Sequence, residues 1–231
     1  SDTVVIYNSI TRNHTELMLK SFGCPIRLSD NQIKIKNGEL KGRDAITVPG
    51  DFSSASFLIL ATLMAKNSEI LIKNVGLNPT RTGFLKILQM MGADITVTID
   101  PSSSFEIQGS IKVRSSNLKG IIVPNNLVSL SIDELPLVFL AAAFANGTTS
   151  ITNAAELRFK ESDRITTMAK LLTELSIEVK ELKDGLIIKG GTITGGEIDS
   201  YGDHRIAMTA LIASVLSLIH ISEPTRPERI A

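Results

Sequence analysis

Four short stretches gather the residues that could do chemistry, and each sits where a helical run begins. Thr11-Arg12-Asn13-His14-Thr15-Glu16 brings a hydroxyl, a guanidinium and an imidazole to the start of an amphipathic run. Unpaired backbone N–H groups and the helix dipole favour an anion at such a place, although the same residues would also serve as an ordinary N-cap with solvated neighbours. Asp133, followed by Glu134, opens a strongly apolar run, either as a capping acid or as a carboxylate available as a general base. In Arg158-Phe159-Lys160-Glu161-Ser162-Asp163-Arg164, Lys160 and Arg164 are four residues apart. A helix over 161–175 would put them on one face with Glu161 alongside. That set could hold a phosphorylated acid and deliver a proton to it; a solvated ion-pair ladder is the alternative. In Tyr201-Gly202-Asp203-His204-Arg205, Gly202 permits a tight turn and Asp203 can cap a helix. Arg205 then falls in a first turn, where the dipole opposes a cation unless an anion is bound, so an anion site is the better reading.

No phosphate-cradling glycine loop, zinc spacing or Ser-His-Asp order accompanies these stretches. Three histidines without a carboxylate or cysteine cluster predict no metal site, and no cofactor is expected. Lys plus Arg equals Asp plus Glu at 24 each, and aromatics are only 4%, which disfavours a nucleic-acid partner. The single cysteine, Cys24, excludes an intrachain disulfide framework and suits a reducing compartment. No charge-free apolar run reaches the ~18 residues of a membrane span, and the first residues do not read as a signal peptide. The expectation is a cytoplasmic protein, monomeric, without a membrane partner.

These residues need elements to hold them, and strand-like and helix-like segments alternate along the chain. Strands are expected at 3–7, 33–36, 45–48, 69–73, 94–99, 104–107, 112–113, 120–123, 149–152, 178–180, 185–189 and near Glu197. Helices are expected at 13–22, 54–65, 80–91, 133–145, 161–175 and 204–217. Asp51 or Ser53 could cap the second helix. The run 132–145 is apolar on nearly every side, as a buried central helix must be. Asn67–Asn74 parallels Asn146–Asn153 at an offset of 79 residues, so the chain reads as a few copies of one α/β unit. The last stretch, 218–231, has two prolines and no clean periodicity; it reads as a non-native tail.

Gly50-Asp51-Phe52-Ser53-Ser54-Ala55-Ser56, Lys160-Glu161-Ser162-Asp163-Arg164 and Asp203-His204-Arg205 together resemble motifs of the 5-enolpyruvylshikimate-3-phosphate synthase family, over about residues 2–217. The resemblance implies an inside-out α/β barrel built from βαβαββ units, truncated here. Residues 1–49 would be the last unit of the second, shikimate-phosphate-binding domain. Residues 50–217 would form most of the first domain, about two and a half units, hinged at Pro49-Gly50.

It also implies transfer of the enolpyruvyl group of phosphoenolpyruvate to the 5-hydroxyl of shikimate 3-phosphate, with release of phosphate. Asp133 would be the base near that hydroxyl, Glu161 would handle the proton on the methylene carbon, and Lys160 would contact the reacting centre. Arg164, Arg205 and His204 would bind phosphoenolpyruvate. Thr11, Arg12 and His14 would face the shikimate phosphate, and Glu156 the shikimate hydroxyls. Family elements carrying a Lys-Ser segment, a glycine-rich loop and a terminal lysine are not found, so the chain alone is expected to be inactive. The alternatives are a UDP-N-acetylglucosamine enolpyruvyl transferase and a folded fragment that binds no ligand.

Overall fold

Alternation of apolar and polar residues in short runs gives, among the described residues, nine strands that assort into three antiparallel sheets of three. The computed structural model describes residues 2–8, 12–29, 31–102 and 105–217; Thr11 and the 218–231 stretch lie outside them. The first sheet joins β1 (Thr3–Ile6), β3 (Gln32–Ile35) and β2 (Ile26–Ser29), with α1 (His14–Ser21) between β1 and β2 in sequence. The second joins β4 (Glu69–Gly76), β6 (Gln108–Arg114) and β5 (Asp94–Ile99). The third joins β7 (Thr148–Ile151), β9 (Gly185–Lys189) and β8 (Glu178–Leu182). In each sheet the strand that comes last in sequence lies in the middle. The period of two is plain on β6, where Gly109, Ile111 and Val113 turn inward and their neighbours do not.

The helices are α2 (Phe52–Met64), α3 (Gly83–Met90), α4 (Asn125–Val128), α5 (Leu135–Phe144), α6 (Arg164–Glu174) and α7 (His204–Ser217). Asp51 starts α2: its carboxylate accepts from Ser54 N at 2.7 Å and Ser54 Oγ at 2.8 Å. Leu135 through Ala143 are all buried, because α5 touches α2, α3, α6, α7 and β9 and has no water-facing side. Asn74 and Asn153, related by the 79-residue offset, both take left-handed backbone with φ of 57° and 62°, a conformation asparagine tolerates better than most residues.

Several elements differ from the expectations. The runs 45–48 and 120–123 form no strand; their neighbourhoods give isolated parallel bridges, Gly50 to Val75 near the first and Lys119 to Asn146 and Ile122 to Ser150 near the second. Proline follows both runs, at 49 and 124, and removes the N–H that a longer ladder would need. The neighbourhood of Glu197 likewise has no regular structure. The four-residue β2 was too short for its alternation to be seen. The helix expected to open at Glu161 opens at Arg164, because the Asp163 carboxylate accepts from Ile165 N and Thr166 N at 3.2 Å. Lys160 and Arg164 therefore do not share a helix face; Lys160 and Glu161 lie in the loop between a 3-10 turn (Ala155–Phe159) and α6.

The core runs from Phe52 to Ala213 and has α5 at its centre. Among the described residues before Pro49 none is buried, and Val4, Val5, Ile6, Leu28 and Val48 are exposed. Two kinds of surface thus meet at Pro49: a thin sheet with one helix, and a filled α/β body.

Candidate active site

The turn before α5 holds Asp133 in place without using it as a cap. Glu134 is the residue at the N-cap position, and its side chain makes no capping bond. Asp133 is left to face other segments, and three of them converge on it. Arg12, just before α1, donates to Asp133 Oδ2. Lys160 Nζ stands 3.8 Å from Asp133 Oδ1 and 2.5 Å from Glu156 Oε1. Arg205, on the first turn of α7, donates Nη1 to the Asp133 backbone carbonyl at 3.1 Å and to Ser53 Oγ at 2.7 Å. A carboxylate with a lysine beside it and two guanidiniums within reach can deprotonate a hydroxyl and hold an anion next to it.

The loop that carries Lys160 and Glu161 is pinned from behind. Arg158 donates to the Lys183 and Leu182 carbonyls at 2.7 Å, to Asp163 at 2.7 Å and to Glu181 at 3.0 Å, tying the loop to the β8–β9 hairpin. Glu161 itself is exposed and pairs with Arg164 Nη2 at 2.6 Å. A backbone N–H first, then the Arg164 charge, keep its carboxyl below the usual range. In this arrangement Glu161 is a carboxylate; serving as a proton donor requires that it leave Arg164.

Arg164 is 1% exposed and is held by Asp203, which is fully buried, through Nε at 2.8 Å and Nη2 at 3.3 Å. Asp203 also accepts from Ser162 Oγ at 3.1 Å and caps α7 through Arg205 N at 2.9 Å. Burial pushes the Asp203 carboxyl up, but the Arg164 hydrogen bond and charge, the Arg205 N–H and Ser162 together bring it below its ordinary value. One buried carboxylate thus fixes α7 to the Glu161 loop. Gly202 makes the sharp entry to α7 with φ of +74°. His204 is exposed at the helix start.

His14 is not brought to Asp133. Its Nδ1 lies 2.5 Å from Glu106 Oε1, and Asn78 Nδ2 donates to Asn13 at 2.8 Å and to Glu106 at 3.2 Å. His14, Asn78 and Glu106 line a cavity of about 370 Å³ with Met18, Phe52 and Phe105. Of the expected residues, Arg12, Asp133, Glu156, Lys160 and Arg205 come together, with Arg164 and Glu161 adjoining. Ser53, expected at most as a helix cap, and Arg81, Glu106 and Asn78 stand beside the expected residues. Ser53 lies in the Gly50–Ser56 stretch and Asn78 and Arg81 in a polar stretch before α3, but no spacing rule joins them to the site. Among the described residues no group of His, Cys, Asp and Glu could hold a metal ion. Among them, too, no single helix is long and apolar enough to cross a membrane.

Solved structures share this fold. The EPSP synthase of Acinetobacter baumannii superposes with a TM-score of 0.87 at 42% identity, over 93% of this chain and 50% of that one. NikO, an enolpyruvyl transferase of Streptomyces tendae, has a TM-score of 0.66 at 17% identity, over 94% of this chain and 49% of that one, a likeness of fold alone. The sequence family model described as EPSP synthase (3-phosphoshikimate 1-carboxyvinyltransferase) matches residues 1–226, and the chain belongs to that family. Proteins named 3-phosphoshikimate 1-carboxyvinyltransferase are 46% identical over 216 residues in Legionella pneumophila strain Paris, and 46% identical over 220 residues in Petrotoga mobilis. These matches cover 93% and 94% of this chain but 50% and 51% of those proteins, so the chain spans about half the length of the curated relatives it matches.

Proposed function

We propose that this chain provides one wall of a site that transfers the enolpyruvyl group of phosphoenolpyruvate to the 5-hydroxyl of shikimate 3-phosphate and releases phosphate. The observation that carries the reading is the convergence of Arg12, Lys160 and Arg205, from three distant segments, on Asp133. Asp133 takes the proton of the attacking hydroxyl, with Lys160 beside it to stabilise the charge that forms. Arg205 binds the phosphate or carboxylate of phosphoenolpyruvate through the edge that Ser53 and the Asp133 carbonyl do not occupy. Arg12 and Glu156 are reassigned by the ligand: both now neutralise site residues and would turn to the shikimate phosphate and hydroxyls. His204 adds to the rim at the start of α7, and Arg164 acts mainly by holding Glu161 and Asp203.

In the same reading, residues 1–49 are the last unit of one domain and residues 50–217 most of another, each built from βαβαββ units arranged with helices inside. The three sheets of equal strand order and the paired asparagines at 74 and 153 support it. Titrating shikimate 3-phosphate by calorimetry tests the site. Saturable binding is expected, weakened about tenfold or more by Lys160→Met, the loss of one charged hydrogen bond. A flat titration, or equal affinity for UDP-N-acetylglucosamine, would refute it. Phosphate release with both substrates tests the chemistry: one wall by itself is expected to give none, and turnover near that of a full-length synthase would overturn that part of the reading.

A further inference from the structure

One turn places two carboxylates on opposite sides of the chain. Asp133 faces Arg12 and Lys160, while Glu134 is 1% exposed and points inward. Three groups surround Glu134 Oε1: Ser53 Oγ, which donates to it, Arg81 Nη2 at 3.8 Å and Arg205 Nη1 at 3.9 Å. The hydroxyl of Ser53 is itself 2.7 Å from Arg205 Nη1. A hydroxyl has one proton and two lone pairs, so it can accept from the guanidinium and donate to the carboxylate at once. We propose that Glu134 is a positioning residue for Arg205, acting through Ser53, and that Arg81 is the counter-charge that keeps Glu134 in that task.

The need for such a device follows from where Arg205 sits. It projects from the first turn of α7, the positive end of the helix, which repels a guanidinium. Without a fixed negative partner it would swing toward the carboxylate of Asp133. The Glu134 charge, passed through a polarised hydroxyl, holds Nη1 against Ser53 and the Asp133 carbonyl instead. No bond is made by Nε and Nη2 of Arg205 within the described residues, so that edge stays open to an anion. Arg81 fits its assigned part. Its Nε is buried without a hydrogen-bond partner, so its position is not explained by satisfying its own donors. Burial raises the Glu134 carboxyl, and Ser53, Arg81 and Arg205 oppose that rise.

The consequence for anion binding rests on the reading of Arg205 given above; the ordering of Arg205 does not. Side-chain 15N NMR of the arginines in the ligand-free chain separates the two. Slow guanidinium rotation with resolved Nη signals is expected for Arg205. Ser53→Ala and Glu134→Gln, each with cooperative folding checked by thermal melts, should collapse those signals. Both should weaken phosphoenolpyruvate binding in the presence of shikimate 3-phosphate about tenfold. Averaged Arg205 signals in the unmodified chain, or signals that stay resolved in Ser53→Ala, overturn the proposal. Ordered, variant-sensitive Arg205 in a chain that binds no phosphoenolpyruvate upholds it and refutes the functional reading instead.

Discussion

Arg164 and Asp203 have left water almost completely, and in such a pair each partner depends on the other. Removing one charge strands the second in a low-dielectric interior, where the effect exceeds that of any surface pair in this chain. Asp203→Asn should therefore cost about 3–5 kcal/mol in urea unfolding. A loss below 1 kcal/mol would mean that water reaches the pair. The pH dependence has a definite sign. Because the folded Asp203 carboxyl lies below its ordinary value, its contribution is complete above the unfolded value of about 3.9 and fades as pH falls through the folded one. Asp51 and Asp163 are also lowered and act in the same direction. Glu134, raised by burial, acts oppositely: its folded state takes up a proton more readily, which favours folding in acid. Stability measured from pH 7 downward should drop below about pH 4, less steeply in Asp203→Asn.

At the scale of elements, the site depends on where helices begin. Asp163 stops α6 from extending back over Lys160 and Glu161, so those side chains lie on a loop rather than on a helical ladder. Asp163→Ala removes bonds to two backbone N–H groups, the Thr166 hydroxyl and Arg158, and should cost about 1–2 kcal/mol. Circular dichroism melts measure that cost. If the helix then grows back across residue 161, amide exchange there will slow; if exchange is unchanged, the Arg158 anchor alone sets the loop. α5 shows the converse dependence. Its uniform apolarity was visible in the sequence because a helix buried on all sides has no polar stripe to keep.

For the whole molecule, the body from Phe52 to Ala213 carries the core, and the residues before Pro49 rest against it by polar contacts. Arg12 to Asp133, His14 to Glu106 and Asn13 to Asn78 are such contacts. Deleting residues 1–49 should leave a cooperatively folded body with a Tm lowered by only a few degrees, as expected for losing about 1 kcal/mol of surface interactions. Binding of shikimate 3-phosphate should fall with it, since Arg12 is lost. A chain that no longer unfolds cooperatively would show that the first sheet belongs to the same folding unit.

Local chemistry was enough to place most strands and helices, the Asp51 and Asp203 caps and the buried character of α5. Each of these depends on neighbours a few positions apart, through side-chain period, backbone capping or chain stiffness. That Arg12, Glu156, Lys160 and Arg205 belong with Asp133 came only from the family resemblance. Tertiary structure alone decided three things. It separated His14 from Arg12, two residues away, by turning them toward different partners. It made Arg164 an internal strut of Asp203 rather than an open cation. It also joined Ser53, Glu134 and Arg205, which are up to 152 residues apart, into one chain of hydrogen bonds. A side chain's direction and its counter-charge are set by whatever segment packs against it, and that information is not carried by the residues on either side.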